Sequence, residues 1–251
     1  MKLPLILLKI RQRYFPRFAG KYDFNEILRA DGIEVGEGTI FYNPNSMSID
    51  RQRPWMLKIG RYCKITKGTV ILTHDYSRSV LRRAYGPIVG EAGETIIGDN
   101  VFIGMNSVIL MGAHIGNNVI VGAGSVVGGT VPDNCVVAGN PARVIRTLDE
   151  HYRLRTDRLV REAGIYVRSF IKAYGRDPQI HECGPFFPLF LERSEEAIRA
   201  AGVNVDLNGD VKDEVVADFL RTEPLFPGYE VFMTAMKQEQ NEFWVKNLDN
   251  E

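Results

Sequence analysis

Four histidines are present in the chain, and His74 has the setting best suited to acid–base chemistry. It follows the run Ile71–Leu72–Thr73 and precedes Asp75, at a point where the regular pattern of the surrounding sequence is interrupted. The unperturbed pKa of an imidazole, about 6.5, allows it to accept a proton from a hydroxyl near neutral pH. His74 is therefore our candidate general base, although an ordinary surface histidine fits the same position.

The pattern that His74 interrupts is a repeat of six residues. Its aliphatic members are Ile59, Ile65 and Ile71, then Ile97, Ile103, Ile109, Ile115, Val121 and Val127. From Ile97 onward, glycine follows every aliphatic residue except Ile109, and a small or β-branched residue stands four positions later. A period of six matches neither a helix nor a simple strand, whose periods are 3.6 and 2. It predicts a parallel β-helix of hexapeptide rungs, so the fold class is mainly β.

The repeat also predicts which residues point inward and where the β-helix is interrupted. Each aliphatic residue and the small residue two positions before it should face the axis, and the glycine should permit turn dihedrals that a β-carbon disfavours. We expect the β-helix to span residues 33–146, with an excursion loop at about 77–93. A smaller break in register is expected between Asp50 and Leu57.

The composition and the remaining segments bound what else the chain contains. Basic and acidic residues number 31 each, so no global charge attracts nucleic acid. Residues 1–32 form a basic amphipathic segment, too short in its apolar run to span a bilayer, that either packs on the protein or touches a membrane surface. Residues 147–251 predict a largely α-helical extension. Cys63, Cys135 and Cys183 have no metal-ligand spacing and indicate a cytoplasmic protein with reduced thiols.

Four segments of the repeat region resemble the hexapeptide-repeat acyltransferases, in the branch of the maltose and galactoside O-acetyltransferases and the xenobiotic acetyltransferases. They are Thr73–Asp75, Ile96–Gly104, Gly122–Val127 and the closing Ala138-Gly139-Asn140-Pro141-Ala142-Arg143-Val144-Ile145. The chain is also similar to putative capsule-type acetyltransferases. The resemblance implies a left-handed parallel β-helix, a homotrimer and active sites in the clefts between neighbouring subunits.

The resemblance further implies an acetyl-CoA-dependent O-acetyltransferase that acts on a sugar hydroxyl, in polysaccharide biosynthesis. His74 matches the family's general base, which activates the hydroxyl. Since no serine or cysteine nucleophile motif adjoins it, direct transfer is favoured over an acyl-enzyme. A backbone N–H near Met105 is a candidate donor to the developing oxyanion. Asp75 is too close in sequence to orient the ring easily, so a backbone carbonyl or another acid is expected to do so.

Alignment with the family places several residues on acetyl-CoA and on the acceptor. The cofactor-binding set is Phe102, Met105, Ala123, Gly128, Arg143 and Arg146, and the acceptor-binding set is Asn43, Asn45 and Asp50. Met105 and Ala123 are separated by one 18-residue coil, so they should stack on one edge. Family members often carry tryptophan in place of Phe102 and a hydroxyl residue in place of Gly128. The second departure removes one hydrogen bond to the cofactor.

Alternative functions remain open. The acceptor could be an amino sugar or a hydroxylated antibiotic, because the loop and the neighbouring subunit would determine its shape. A γ-type carbonic anhydrase needs three histidines around zinc, and the repeat region has only His74 and His114, so no metal is expected. A non-catalytic β-helix scaffold would have no need for His74 together with its loop and the closing segment.

Overall fold

The computed structural model describes residues 4–14, 20, 22–205 and 209–238. Its contacts divide the chain into two compact units, Met1–Tyr152 and Arg153–Glu251. Parts of the predicted terminal segments, at residues 1–3, 15–19, 21, 206–208 and 239–251, lie outside the described residues.

The first unit is built from short strands that follow one another around three sheets. In chain order they are β1 (Glu34–Val35), β2 (Ile40–Phe41), β3 (Ser48–Ile49), β4 (Leu57–Ile59), β5 (Lys64–Ile65), β6 (Val70–Ile71), β7 (Thr95–Ile97), β8 (Phe102–Ile103), β9 (Val108–Ile109), β10 (His114–Ile115), β11 (Val119–Val121), β12 (Val126–Val127), β13 (Thr130–Val131), β14 (Cys135–Gly139) and β15 (Ala142–Thr147). Sheet A has the order β1-β4-β7-β10-β13, sheet B has β15-β14-β11-β8-β5-β2, and sheet C has β12-β9-β6-β3.

Each strand from β1 to β11 pairs in parallel with the strand three places later in the chain. For example, Ile103 on β8 aligns with Val121 on β11. One turn of the backbone thus visits sheets A, B and C before returning one layer further on, which makes the unit a parallel β-helix. The final strand, β15, pairs antiparallel with β14. The β-helix predicted from the six-residue period is confirmed.

The axis of the β-helix is filled by the residues that the repeat assigned to it. The six aliphatic side chains from Ile97 to Val127 are at most 2% exposed. The small residues two positions before them are equally enclosed, with Ser107, Ala113 and Ser125 at 0%. Buried hydroxyls need partners, and Ser107 donates to the carbonyl oxygen of Gly104 at 2.8 Å. The core is therefore one continuous aliphatic column with small residues between its larger members.

We expect Ile103→Ala to lower the free energy of unfolding by about 2–5 kcal/mol. Ile103 is 0% exposed and lies between the layers above and below it, so the substitution leaves a cavity that the neighbouring coils cannot close. Urea unfolding followed by circular dichroism measures the change. Ile88→Ala is the matched control, because Ile88 is 83% exposed and its truncation should cost within about 0.5 kcal/mol. An equal loss in both variants would contradict this assignment of the core.

The glycines of the repeat have a different role from the one predicted. None of the residues that follow the aliphatic positions, such as Gly98 and Gly104, has a positive φ. A β-carbon at Gly104 would instead lie 2.4 Å from the backbone nitrogen of Ala123 in the next coil. Glycine is required there because the successive coils approach each other closely. The prediction that their turn dihedrals demand glycine is wrong.

The strands meet at three edges, which we name AB, BC and CA after the sheets that they join. The AB edge contains a ladder of asparagines in the left-handed conformation, Asn100, Asn118 and Asn134. Their side-chain amides are joined by hydrogen bonds of 2.9 Å from one coil to the next. The polar groups of this ladder are engaged with one another, so the AB edge is structural.

Two helices precede the β-helix, α1 (Leu5–Tyr14) and α2 (Asp23–Ala30). Helix α2 packs into the core of the β-helix through Leu28. On α1, Arg11 pairs with Asp23, and Lys9 pairs with Asp31 at 3.4 Å. A third helix, α3 (Arg78–Tyr85), lies between β6 and β7. Among the described residues, no helix is long and apolar enough to cross a bilayer.

The second unit is helical and has its own core. Its helices are α4 (Leu148–Tyr174), which begins in the first unit, α5 (Glu195–Ala201), α6 (Lys212–Leu220) and α7 (Tyr229–Lys237), with a kinked 3₁₀ segment at Ile180–Leu189. Gly175 has φ +69° and ends α4 as a glycine C-cap. The aromatic residues Phe187, Phe190 and Phe232 are at most 4% exposed. The largely helical C-terminal part is confirmed.

All three cysteines are buried and free, which leads to a prediction about their reactivity. Burial raises the pKa of the Cys63 and Cys183 thiols to about 11, and it raises that of Cys135 as well. Since the thiolate is the reactive form, the folded protein at pH 8 should react with a disulfide reagent at least about a hundredfold more slowly than the urea-unfolded chain. Stopped-flow absorbance measures both rates. Rapid labelling of the folded protein would contradict the burial.

Candidate active site

Asp50 and His74 come together at the CA edge because their strands are neighbours. Strand β3 pairs in parallel with β6, with Ser48 aligned to Val70 and Ile49 to Ile71. Asp50 directly follows β3, and His74 lies three residues beyond the end of β6. Parallel strands bring their carboxyl ends to the same edge of a sheet, so the two side chains meet although 24 residues separate them in sequence.

The contact between them is a hydrogen bond that fixes the imidazole. Nδ1 of His74 lies 2.5 Å from Oδ2 of Asp50. The same carboxylate oxygen accepts a hydrogen bond from the hydroxyl of Thr73, and Oδ1 accepts one from the backbone nitrogen of Gln52 at 3.0 Å. With Nδ1 donating to a carboxylate, the lone pair of the neutral ring is on Nε2. The pair thus has the arrangement of a general base and the acid that orients it.

The electrostatics keep Asp50 ionised. Burial acts to raise its pKa, but the hydrogen bonds from Thr73, Gln52 and His74 outweigh it, and the pKa lies below its ordinary value. The side chain of Asp50 is 4% exposed and that of His74 is 8% exposed. A charged carboxylate behind the ring stabilises the imidazolium that forms when Nε2 takes a proton. His74 is therefore not an ordinary surface histidine.

Asp75 does not orient the ring. Its Oδ1 accepts a hydrogen bond from the backbone nitrogen of Ser77 at 2.7 Å, whereas Nδ1 of the ring is bonded to Asp50. Tyr76 covers the histidine instead, with the two rings edge to face at 5.3 Å between centroids. The expectation that another acid orients His74 is met by Asp50, which the family alignment assigns to the acceptor and not to the ring. The signal that would have found it is the parallel alignment of β3 with β6.

The residues predicted to bind the cofactor lie mostly on sheet B and the BC edge. Phe102 projects from β8 and is 41% exposed, and Met105, on the adjoining turn, is 54% exposed. The 18-residue register places Ala123 on the same edge one coil later, and the nitrogen of Gly124 donates to the carbonyl oxygen of Met105 at 2.8 Å. Arg143 and Arg146 lie on β15 in the same sheet.

Gly128 is separated from the other predicted cofactor residues. It follows β12, aligned with Leu110, and therefore lies at the CA edge with His74. Strand β9 of sheet C lies between Met105 and Leu110, so the BC and CA edges are at opposite ends of the strands of sheet C. Within one chain, the predicted set is thus divided between two edges.

The BC edge is open beside Ala123, and Arg143 of the adjoining sheet B is exposed. A β-carbon at Gly124 would meet no atom within 4 Å, so the edge beside Ala123 is open. The guanidinium of Arg143 is exposed and donates to the carbonyl oxygen of Ala142 at 2.9 Å. Arginine side chains match the geometry of phosphate groups, and contact of these residues with acetyl-CoA stays a prediction.

The residues predicted to bind the acceptor are also divided. Asn43 and Asn45 lie in the turn between β2 and β3, at the BC edge, and the amide of Asn45 donates to the carbonyl oxygen of Gln12 at 2.8 Å. Asp50 is at the CA edge, where its carboxylate is engaged with His74. Contact of these three residues with an acceptor stays a prediction.

The described residues contain no group of three or more histidine, cysteine, aspartate or glutamate side chains that could hold a metal ion. His114, the second histidine of the repeat region, is exposed on β10.

A three-sided parallel β-helix with a buried histidine–aspartate pair at one edge defines the class of the protein: it has the architecture of a hexapeptide-repeat transferase.

Comparison with known proteins identifies the family. A model of the bacterial transferase hexapeptide (six repeats) matches residues 94–129. Protein CapG of Staphylococcus aureus is 41% identical over 128 residues, which are 49% of this chain and 71% of CapG. The chain therefore belongs to the hexapeptide-repeat transferase family.

Two further matches are shorter or more distant. Galactoside O-acetyltransferase of Escherichia coli is 51% identical over 59 residues, covering 22% of this chain and 29% of that protein. The solved structure of the hexapeptide-repeat acetyltransferase VCA0836 from Vibrio cholerae, complexed with acetyl coenzyme A, is 23% identical with a TM-score of 0.40. It covers 57% of this chain and 85% of VCA0836. The sequence relatives of this chain thus include a named O-acetyltransferase.

Proposed function

We propose that the protein is an O-acetyltransferase that transfers the acetyl group of acetyl-CoA to a sugar hydroxyl. The observation that carries the proposal is the hydrogen bond between Nδ1 of His74 and the buried carboxylate of Asp50, which leaves Nε2 to act as a base. Membership in the hexapeptide-repeat transferases supports the reaction class. Similarity to galactoside O-acetyltransferase supports a sugar hydroxyl as the acceptor.

His74 performs the proton transfers of this reaction. Acetyl-CoA supplies an acetyl group activated as a thioester. Nε2 of His74 accepts the proton of the acceptor hydroxyl as its oxygen bonds to the acetyl carbon. Asp50 stabilises the resulting imidazolium through Nδ1–H. His74 then returns the proton to the sulfur as the carbon–sulfur bond breaks, so that CoA leaves as the thiol and the base is regenerated.

The division of the predicted site between two edges supports a homotrimeric assembly. A ligand that touches Met105 and Ala123 on the BC edge of one copy can reach the His74 of a second copy. It does so most directly if the CA edge of the second copy faces the BC edge of the first. Three copies related by a threefold axis, each a left-handed β-helix, would form three such sites. In this arrangement, the backbone N–H near Met105 of one copy would stabilise the oxyanion formed beside His74 of the next.

The cellular setting that we propose is the cytoplasm, in polysaccharide biosynthesis. Three free, buried thiols fit a reducing compartment. Similarity to the putative lipopolysaccharide biosynthesis O-acetyl transferase WbbJ of Escherichia coli supports a polysaccharide or its precursor as the acceptor.

Calorimetric titration of acetyl-CoA and CoA, together with light scattering, tests the proposal. We expect saturable binding of one molecule per chain to a protein with the mass of a trimer. Arg143→Gln/Arg146→Gln should weaken binding about tenfold or more, because charge-assisted contacts to phosphate are lost. Arg158→Gln/Arg161→Gln, two exposed arginines on α4, is the matched control and should leave binding unchanged. An absence of CoA binding to the wild type would overturn the proposal.

A further inference from the structure

The segment after His74 concentrates three arginines between two flanking acids. We name residues 75–93, between β6 and β7, the excursion arm. From residue 76 to residue 90 it contains Arg78, Arg82 and Arg83 and no aspartate or glutamate. Every residue from 79 to 90 is exposed, and α3 has no buried residue. Neither the β-helix core nor the proposed chemistry uses these side chains.

The arm begins at the candidate base, and its arginines extend outward from there. Tyr76 packs against the ring of His74, and the guanidinium of Arg78 lies 5.7 Å from the centroid of the Tyr76 ring. Arg78 and Arg82 are four residues apart on α3, so they share a face with α-carbons about 6 Å apart. Tyr85, 79% exposed, is one turn further along that face.

The base of the arm is held in place, which fixes where α3 starts. The backbone nitrogen of Gly93 donates to the carbonyl oxygen of Thr73 at 3.1 Å. Arg53 donates to the carbonyl oxygen of Glu91 at 2.8 Å. The two acids that flank the positive segment, Asp75 and Glu91, belong to this base, where the Asp75 carboxylate accepts a hydrogen bond from the backbone nitrogen of Ser77 at 2.7 Å. Within the described residues, Arg82 and Arg83 make no ion pair and no side-chain hydrogen bond.

We propose that the excursion arm binds an acidic acceptor, so that the substrate class is a sugar or glycan bearing a carboxylate or phosphate. This inference rests on the proposed O-acetyltransferase function. Arginine presents a planar fork of donors that matches both anions, and Arg82 and Arg83 offer two exposed positive charges to an anionic glycan. Tyr76 and Tyr85 offer exposed aromatic faces against which a sugar ring can pack. An acceptor anchored here has its hydroxyl groups beside His74.

The test compares acidic and neutral probes of the same size. Calorimetry measures binding of trigalacturonic acid against galactotriose, and of N-acetylglucosamine 1-phosphate against N-acetylglucosamine, to the full-length protein. The first pair tests a carboxylate and the second a phosphate. The variant is Arg82→Gln/Arg83→Gln, whose residues are fully on the surface and do not contribute to the core. Arg158→Gln/Arg161→Gln is again the matched control, with an equal loss of charge on α4.

We expect the wild type to bind at least one acidic probe about tenfold or more tightly than its neutral partner, with the preference reduced at high salt. Arg82→Gln/Arg83→Gln should remove most of this preference and leave the affinity for acetyl-CoA unchanged, whereas the control should retain both. Equal binding of acidic and neutral probes, or no binding of either acidic probe, would overturn the inference.

Two other results would also overturn it and would identify what the arm does instead. A loss of acetyl-CoA affinity in Arg82→Gln/Arg83→Gln would assign the arginines to the cofactor. A change in molecular mass by light scattering would assign the arm to an interface between copies. Failure of the proposed function gives a different result from failure of this inference. It appears as an absence of acetyl-CoA binding in the wild type, regardless of how the acidic and neutral probes bind.

Discussion

His74→Gln is expected to lower kcat for acetyl transfer by about 10²–10⁴-fold and to leave acetyl-CoA affinity unchanged. Glutamine keeps a polar side chain that can donate to Asp50, but it has no group that takes a proton near neutral pH. The proton of the acceptor hydroxyl must then go to water. A thiol-release assay gives kcat, and calorimetry gives the affinity. The low reactivity expected of the enzyme's own buried cysteines keeps the background of the thiol assay small.

The control for this substitution is His114→Gln. His114 is exposed on β10, in sheet A, so its replacement should change kcat less than about twofold. Turnover by His74→Gln within tenfold of the wild type would refute the assignment of the general base. Loss of both turnover and acetyl-CoA binding would indicate instead a structural role for His74.

Asp50→Asn is expected to lower kcat by about 10²–10³-fold, with a smaller change in the KM for either substrate. The neutral amide no longer stabilises the imidazolium, and its nitrogen can turn towards Nδ1, which would select the wrong tautomer of His74. Steady-state kinetics with both substrates separate kcat from KM. Because Asp50 acts through His74, Asp50→Asn in the His74→Gln background should add little further loss.

Asp75→Asn is the matched control, since it removes a carboxylate next to His74 in sequence that does not contact the ring. Its kcat should stay within about tenfold of the wild type. A larger effect from Asp75→Asn than from Asp50→Asn would reverse the assignment of the positioning residue.

The lowered pKa of Asp50 also has a consequence for acid stability. Because the pKa of this carboxyl is lower in the folded than in the unfolded protein, ionisation stabilises the fold above the ordinary value of about 3.8. This contribution is lost as the pH falls through the lowered pKa of the folded state. Urea unfolding should therefore show a difference between wild type and Asp50→Asn that is full at pH 6 and decreases below about pH 4. A difference independent of pH would contradict this linkage.

The repeat made the fold predictable, because its signal is both periodic and redundant. Each of the aliphatic residues from Ile97 to Val127 marks the same position in a rung. A single interruption of the pattern therefore leaves the remaining rungs recognisable. The reason for the glycines was not predictable, since it depends on how closely neighbouring coils stack. The helix α3 was likewise not assigned, because its residues pack against nothing that would impose an apolar period.

The role of Asp50 shows why the site was harder to predict than the fold. A regular coil of 18 residues would place Met56 beside His74. In the structure, the strands of this coil align Ile49 with Ile71, which are 22 positions apart. The extra residues lie in the turn that includes the 3₁₀ segment Pro54–Met56. The family resemblance placed Gly128 and Met105 in one cofactor-binding set. Their different edges become visible only when each residue is assigned to the sheet whose strand it follows. Long-range register therefore determines this site, and the local sequence does not encode it.

The most direct measurement is transfer of an isotope-labelled acetyl group from acetyl-CoA to a sugar hydroxyl, detected by mass spectrometry. The wild type, His74→Gln and Asp50→Asn are compared on the acidic and neutral sugars described above. We expect labelled O-acetyl sugar and an equal amount of CoA thiol with the wild type, and loss of both products with either variant. Labelled product formed equally well by His74→Gln, or label that stays on the protein as an acyl-enzyme, would contradict direct transfer by the His74–Asp50 pair.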